Sequence, residues 1–195
     1  DLYQIHWPAR ATYRFGTSEA DWSKNDYAAN RALIVEILEG ADMLIKQGKI
    51  KHLGLSNDTS WGMMTYLSEA EKRDLPRIVS IQNEYSPVFR WFDKDSGEVA
   101  IAEDVGLLSY STLVAGAISG KYLDGARPAG TRWSLDTRPN GRDTAALQDA
   151  IRAYIALAEK HGLDVCQMAL AWALTRPFMT SVIIGATTME QLKTD

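Results

Sequence analysis

The chain has 195 residues, 46% of them apolar and 24% charged, the ordinary make-up of one globular domain with enough apolar side chains for a real core. Its 21 basic and 25 acidic residues leave a net charge of −4 with no basic stretch, which argues against capture of nucleic acid or an anionic membrane and favours small molecules or proteins as partners. The single cysteine, Cys166, excludes an internal disulfide framework, and the scattered histidines His6, His52 and His161 offer no metal-ligand spacing.

Apolar runs such as Val182-Ile183-Ile184 fall far short of the about 20 residues that span a bilayer, and Asp1 to His6 has none of the make-up of a signal peptide. The chain therefore reads as cytoplasmic. It opens in mid-strand without a methionine, which leads us to expect further sequence upstream.

In chain order, Leu2 to Trp7 predicts a buried parallel strand that delivers His6 at its C-terminal end. Ala9 to Asn25 has no period and reads as a long loop. From Tyr27 to Gln47, apolar residues at helical spacing predict an amphipathic helix stopped by Gly48. Lys49 to Leu55 predicts a second strand, and Ser56-Asn57-Asp58-Thr59, rich in capping residues, precedes a helix to about Arg73. Arg77 to Gln82 predicts a third strand, followed by a weaker helix near Asp93 to Asp104, and Leu107 to Tyr110 a fourth. After a long stretch from Ser111 to Arg142 come helices over Thr144 to His161 and Asp164 to Thr175, a fifth strand over Ser181 to Ile184, and a last helix opened by Gly185-Ala186-Thr187-Thr188.

Strands alternating with helices imply a parallel sheet, either open and doubly wound or part of a (β/α)₈ barrel. A complete barrel takes about 200 to over 400 residues, so five strands with two long loops hold fewer than eight units. In both architectures ligands lie beyond the strand C-terminal ends. Those ends carry His6, Ser56-Asn57, Gln82, Tyr110-Ser111 and the Gly185 to Thr188 turn.

His6 can act as an acid/base or polarise a carbonyl, or be a packed histidine. Ser56, Asn57 and Gln82 offer uncharged donors and acceptors suited to a carboxamide, although Ser56, Asn57 and Asp58 taken alone read as helix caps. Tyr110 suits stacking on a flat ring, or burial. Ser111 to Lys121 combines hydroxyls, small residues and a lysine as a plausible diphosphate cradle. The Gly185 to Thr188 turn suits a phosphate, or serves as an ordinary cap. His52, His161 and Cys166 are read as structural.

Five segments then carry a resemblance: Asp1 to Pro8 (DLYQIHWP), Gly48-Lys49-Ile50 through Gly54-Leu55-Ser56-Asn57, Ile81 to Ser86 (IQNEYS), Ser109-Tyr110-Ser111 through Ser119-Gly120-Lys121-Tyr122, and Gly185 to Leu192 (GATTMEQL). Over the whole chain the sequence resembles the aldo-keto reductase superfamily, most closely its Tas-like bacterial branch, which is related to the potassium-channel β-subunits. The resemblance implies a (β/α)₈ TIM barrel, with residues 1–195 forming one partial barrel domain that supplies about the fourth to eighth βα units.

It further implies an NADP(H)-dependent reduction of aldehydes or ketones to alcohols. His6 is then the active-site histidine at the carbonyl, while Ser56, Asn57 and Gln82 hold the nicotinamide carboxamide and Tyr110 stacks on its ring. Ser111, Leu113, Ala115 and Lys121 wrap the diphosphate and Arg132 reaches toward the adenosine phosphate end. Gly185, Thr187 and Gln191 resemble a 2′-phosphate site, which favours NADPH over NADH. Asp195 stands where the family usually has asparagine, a departure that weakens one adenine contact. Trp7, Trp22, Trp91 and Tyr85 are expected to shape the substrate pocket. The family's proton-donating tyrosine, with its lysine and aspartate, precedes the point where this sequence begins, so the 195-residue chain alone is expected to be inactive. The other class left open is a non-catalytic NADP(H)-binding module that reports redox state to a partner.

Overall fold

Polar residues with short side chains set the helix starts. Asp26 accepts from the N–H groups of Ala28 and Ala29, both at 3.0 Å, and so opens helix α1 (Tyr27–Lys46). The helix buries Ile34, Leu38 and Ala41 on one face and ends at Gly48, whose φ of +69° lets the Lys49 N–H return to the Leu44 carbonyl. In this computed structural model residues 1–13, 19–135 and 143–195 are described. Parts of the long connections read from the sequence, residues 14–18 and 136–142, lie outside the described residues. The described residues form two compact units, one of 1–13, 19–83 and 91–108, the other of 84–90, 109–135 and 143–195.

In the first unit, strands β1 (Leu2–Ile5), β2 (His52–Ser56) and β3 (Ile78–Glu84) pair in parallel. The register runs from Leu2 opposite His52 to Ile5 opposite Leu55, and then from Leu53 opposite Ile78 to Ser56 opposite Gln82. It shifts at Gly54, where a Cβ would come within 2.6 Å of Ser80 Oγ, so the strand interior accepts glycine there. Helix α2 (Ser60–Arg73) buries Met63, Tyr66, Leu67 and Ala70, and with Leu53, Leu55, Ile78 and Ile81 these form the unit's core. Glu69 is buried too, and is matched by Arg31 at 2.7 Å, Lys72 at 3.4 Å and Arg73. Its carboxyl is held below the usual range, by the Arg31 hydrogen bond foremost. A 3₁₀ turn over Trp91–Asp93 and the Asp95 cap delay α3 (Ser96–Ala102), and the chain turns left-handed beyond it at Asp104, φ 54°, so the helix is shorter than the spacing predicts.

The five strands follow the sheet order β1-β2-β3-β4-β5, where β4 is Gly106–Tyr110 and β5 Met179–Val182. This α/β arrangement agrees with the sequence reading, with adjusted strand boundaries, β3 among them, which runs on to Glu84. β1 stops at Ile5, because the His6 carbonyl accepts from the Asn57 side chain rather than from a strand. β2 begins at His52, since Lys49 still bonds the helix end and Lys51 and His52 both donate to the Asp1 carbonyl. β5 lies two residues earlier than expected. Ile183 still donates to the Ser109 carbonyl at 2.8 Å, yet Ile183 and Ile184 are exposed.

The second unit holds α4 (Arg132–Leu135), α5 (Ala145–Lys160), α6 (Val165–Leu174) and α7 (Met189–Thr194), the last three capped by Thr144, Asp164 and Thr188. Its core gathers Val114, Ala117, Ile118, Tyr122, Trp133, Ile151 and Ala169. Tyr122 stacks on Trp133 with ring centroids 4.4 Å apart. Among the described residues no helix is long and apolar enough to cross a membrane, and no group of three or more His, Cys, Asp or Glu is placed to hold a metal ion.

Candidate functional site

In the first unit, residues at the C-terminal ends of β1, β2 and β3 are tied together by hydrogen bonds. Ser56 and Gln82 are register partners, and Ser56 Oγ donates to the Gln82 carbonyl at 2.7 Å. Asn57 Nδ2 donates to the His6 carbonyl at 2.9 Å and to Ser56 Oγ at 3.2 Å. Gln82 Nε2 donates to Gln4 Oε1 at 2.9 Å. His6 is exposed and its ring lies 6.1 Å from that of Trp7. Thus His6, Ser56, Asn57 and Gln82 form one network.

The capping reading of Ser56, Asn57 and Asp58 does not hold, because Thr59 is the cap of α2, accepting from the Gly62 N–H at 3.4 Å. Asn57 instead adopts a left-handed φ of 55°, a conformation asparagine tolerates better than most residues, and this turns its side chain back to His6. One residue bonded to the network, Gln4, was not singled out in the sequence. Gln4 is a polar residue within an apolar strand, and its Nε2 is buried without a partner among the described residues. Asp58 pairs with Arg10, which nothing in the residue spacing announces.

In the second unit, the segment from Tyr110 to Lys121 is held by backbone geometry. Tyr110 is half-buried and its carbonyl accepts from the Tyr85 N–H at 3.2 Å. Ser111 has φ 56°, and its carbonyl accepts from the Val114 N–H at 2.7 Å. The chain then passes from Leu113, φ −88°, through Val114, Ala115 and Gly116 at φ 56°, 54° and 87°. Such a right-to-left-handed step turns successive N–H groups to one side, the backbone form of an anion cradle. Val114 is β-branched, which makes its positive φ a costly conformation. At Gly116 a Cβ would meet Lys121 Cε and Nζ at 2.9 Å, so the absent side chain leaves room for the lysine's charged end.

Arg132 is exposed at the start of α4. Gly185 and Thr187 lie exposed before α7, where Gln191 Oε1 accepts from the Thr187 N–H at 2.8 Å and from its hydroxyl at 3.0 Å. Asp195 follows α7 and donates its N–H to the Gln191 carbonyl.

Of the aromatic residues expected at the substrate pocket, Tyr85 is placed elsewhere. Tyr85 is fully buried in the second unit, stacked on Trp172 at 5.3 Å and edge-on to Phe178 at 5.5 Å, so it is a core residue. In the first unit Tyr13, not predicted, packs edge-on to both Trp22 (5.4 Å) and Trp91 (4.7 Å), and both tryptophans are more than a third exposed.

The sequence pattern of the aldo/keto reductase family matches residues 1–194. Protein tas of Escherichia coli (strain K12) is 46% identical over 198 residues, which cover 100% of this chain and 56% of that protein. An aldo-keto reductase of Babesia bovis is 31% identical over 206 residues, 99% of this chain and 71% of its own length. A probable voltage-gated potassium channel subunit beta of Arabidopsis thaliana is 27% identical over 82% of this chain and 50% of its length. The chain thus spans about half the length of the first of these relatives.

Proposed function

The chain belongs to the aldo/keto reductase family, and from that premise we propose that the whole protein is an oxidoreductase that reduces aldehydes or ketones to alcohols with NADP(H). The observation that carries this reading is the network of His6, Ser56, Asn57 and Gln82 at the C-terminal ends of three consecutive paired strands, the end at which α/β sheets take ligands. Residues 1–195 are read, within the same proposal, as part of one (β/α)₈ barrel, about its fourth to eighth units.

The residues present fit the cofactor. Gln4 Nε2 is a buried donor without an acceptor among the described residues, beside the Gln82 carboxamide. The space a Cβ would fill at Gly116 adjoins a lysine and a backbone turned for an anion. Ser56, Asn57 and Gln82 would hold the nicotinamide carboxamide, and Tyr110 its ring. Ser111, Leu113, Ala115 and Lys121 would hold the diphosphate and Arg132 the adenosine phosphate. Gly185, Thr187 and Gln191 would hold the 2′-phosphate, Gln191 giving up its bonds to Thr187, and Asp195 would stand at the adenine.

A bound reduced nicotinamide supplies the hydride. His6 orients the carbonyl and polarises its oxygen by donating a hydrogen bond, since an imidazole N–H stabilises the charge that develops there. Proton delivery is assigned to the tyrosine, lysine and aspartate that the family carries ahead of the segment matching His6.

The test is NADPH fluorescence on binding, and NADPH consumption with an aromatic aldehyde, by the full-length protein. We expect both, with His6→Ala lowering turnover by about 10²- to 10⁴-fold and leaving NADPH binding in place. The likeness to the Arabidopsis channel subunit favours a second reading, a redox-reporting NADP(H)-binding module, which tight binding without turnover would select. Absence of binding would overturn both.

A further inference from the structure

Near each of these strand ends in the first unit stands a residue that the reductase reading leaves unused. Arg10 lies four residues after His6, Asp58 follows Asn57, and Asn83 follows Gln82. These three meet. Arg10 and Asp58 form an ion pair whose side chains are 5% and 3% exposed, and Arg10 Nη2 also donates to Thr59 Oγ1 at 3.0 Å. The guanidinium carbon lies 4.8 Å from the centre of the Trp61 ring. Asp58 Oδ1 accepts a second bond from the Thr59 N–H at 2.7 Å, and the Asp58 carbonyl accepts from Asn83 Nδ2 at 2.9 Å. Gly62 completes the fit, since a Cβ there would fall 2.0 Å from Asp58 Oδ1 and 2.7 Å from Arg10 Nη2. Glycine is unfavourable inside a helix, and here its place in α2 is explained by the pair it admits.

We propose that Arg10 and Asp58 are positioning residues, a clamp that fixes the segment carrying His6 against the turn carrying Ser56 and Asn57, so that the network meets substrate and cofactor in one geometry. The proposal rests on the reductase reading for what is positioned. The physical ground is that a buried ion pair gains little over apolar side chains of the same size, whereas a planar guanidinium, bonded through Nη2 to Asp58 and Thr59 and lying over the Trp61 ring, fixes direction. The chain from Pro8 to Asp21 runs without helix or strand among its described residues, so beyond the end of β1 this ion pair and the Asn57 bond to the His6 carbonyl both link the segment to the turn after β2.

The two roles separate in the double variant Arg10→Met with Asp58→Leu, made in the full-length protein. If the pair only stabilises the fold, the apolar replacement should keep both the melting temperature and kcat/KM. The clamp predicts a melting temperature within about 3 °C of the native protein and a fall in kcat/KM of about 10- to 100-fold, carried by kcat. It also predicts faster amide hydrogen exchange over residues 6–13 and 53–58, by about tenfold, a readout that needs no cofactor. Should the double variant fail to fold, Arg10→Lys, which keeps the charge and loses the planar guanidinium over Trp61, carries the same two readouts at smaller size. A stable variant with native kcat/KM and native exchange overturns the clamp. If the unaltered protein neither binds NADPH nor turns over, the reductase reading fails by itself, and the exchange measurement still decides whether the pair holds the two segments together.

Discussion

At the ends of β1, β2 and β3 the polar groups are placed by one another: Ser56 by the Gln82 carbonyl, Asn57 by the His6 carbonyl, Gln82 by Gln4. Between Ser111 and Gly120 the placing is done by the main chain, through left-handed torsions at Ser111, Val114, Ala115, Gly116 and Gly120 over a floor of Val114, Ala117 and Ile118. The first arrangement depends on which side chains are present. The second depends on which side chains are tolerated, because a backbone turned to present N–H groups is strained for any residue with a Cβ.

Asn57 belongs to both regimes, with its side chain bonded across the network and its φ at 55°, and so gives the largest expected effect. Asn57→Gly and Asn57→Ala both remove the donor to His6 and Ser56, at a cost of about 1–3 kcal/mol. Only alanine adds the left-handed penalty, about 1–2 kcal/mol more. Denaturant titration should therefore rank native above Gly above Ala, and equal stabilities for the two variants would remove the backbone term from the argument.

Next in size is Gly116→Ala, at φ 87°, which should cost about 1–2 kcal/mol and weaken NADPH binding by displacing Lys121. Affinity unchanged beside lowered stability would mean that the loop's shape matters to the fold and not to the ligand. Smaller again is Tyr122→Phe. The Tyr122 hydroxyl is buried without a partner among the described residues, so its removal should leave stability unchanged or raise it by up to about 1 kcal/mol, while Trp133 keeps a stacked ring. A loss above that would reveal a hydrogen bond we have not assigned.

At neutral pH the smallest effect is expected at Cys166, where burial foremost, then Asp164 and Asp195, push the thiol up to about 11 from 9.0. Between those values the folded state holds a proton that the unfolded state has lost, so stability should fall as pH rises through that window. Cys166→Ala should flatten that fall, and iodoacetamide should label the folded protein slowly at pH near 8.

Much of this was legible in the sequence. The strand and helix order follows from apolar spacing, and Asp26, Thr144 and Asp164 announce their helices by capping chemistry. His6, Ser56, Asn57 and Gln82 stand out in the sequence because strand ends are where such sheets keep their ligands, and the structure joins them in one network. The capping role of Thr59 was misplaced onto its neighbours, since four capping residues in a row do not say which one turns the chain. Tyr85 was read as pocket lining although it is core, because an aromatic residue beside a strand end looks the same in either place. Arg10 and Asp58 stand 48 residues apart, and a pairing across that distance leaves no period or spacing to read. Gly62 was its one local trace, a glycine in a helix with no turn to make.

The most direct test of the central claim follows the hydride itself. The full-length protein is incubated with an aromatic aldehyde and NADPH deuterated at nicotinamide C4, and the product is analysed by mass spectrometry. The account predicts an alcohol carrying deuterium on the former carbonyl carbon, formed far more slowly by the His6→Ala protein. Aldehyde recovered unchanged, with NADPH bound and intact, would contradict it.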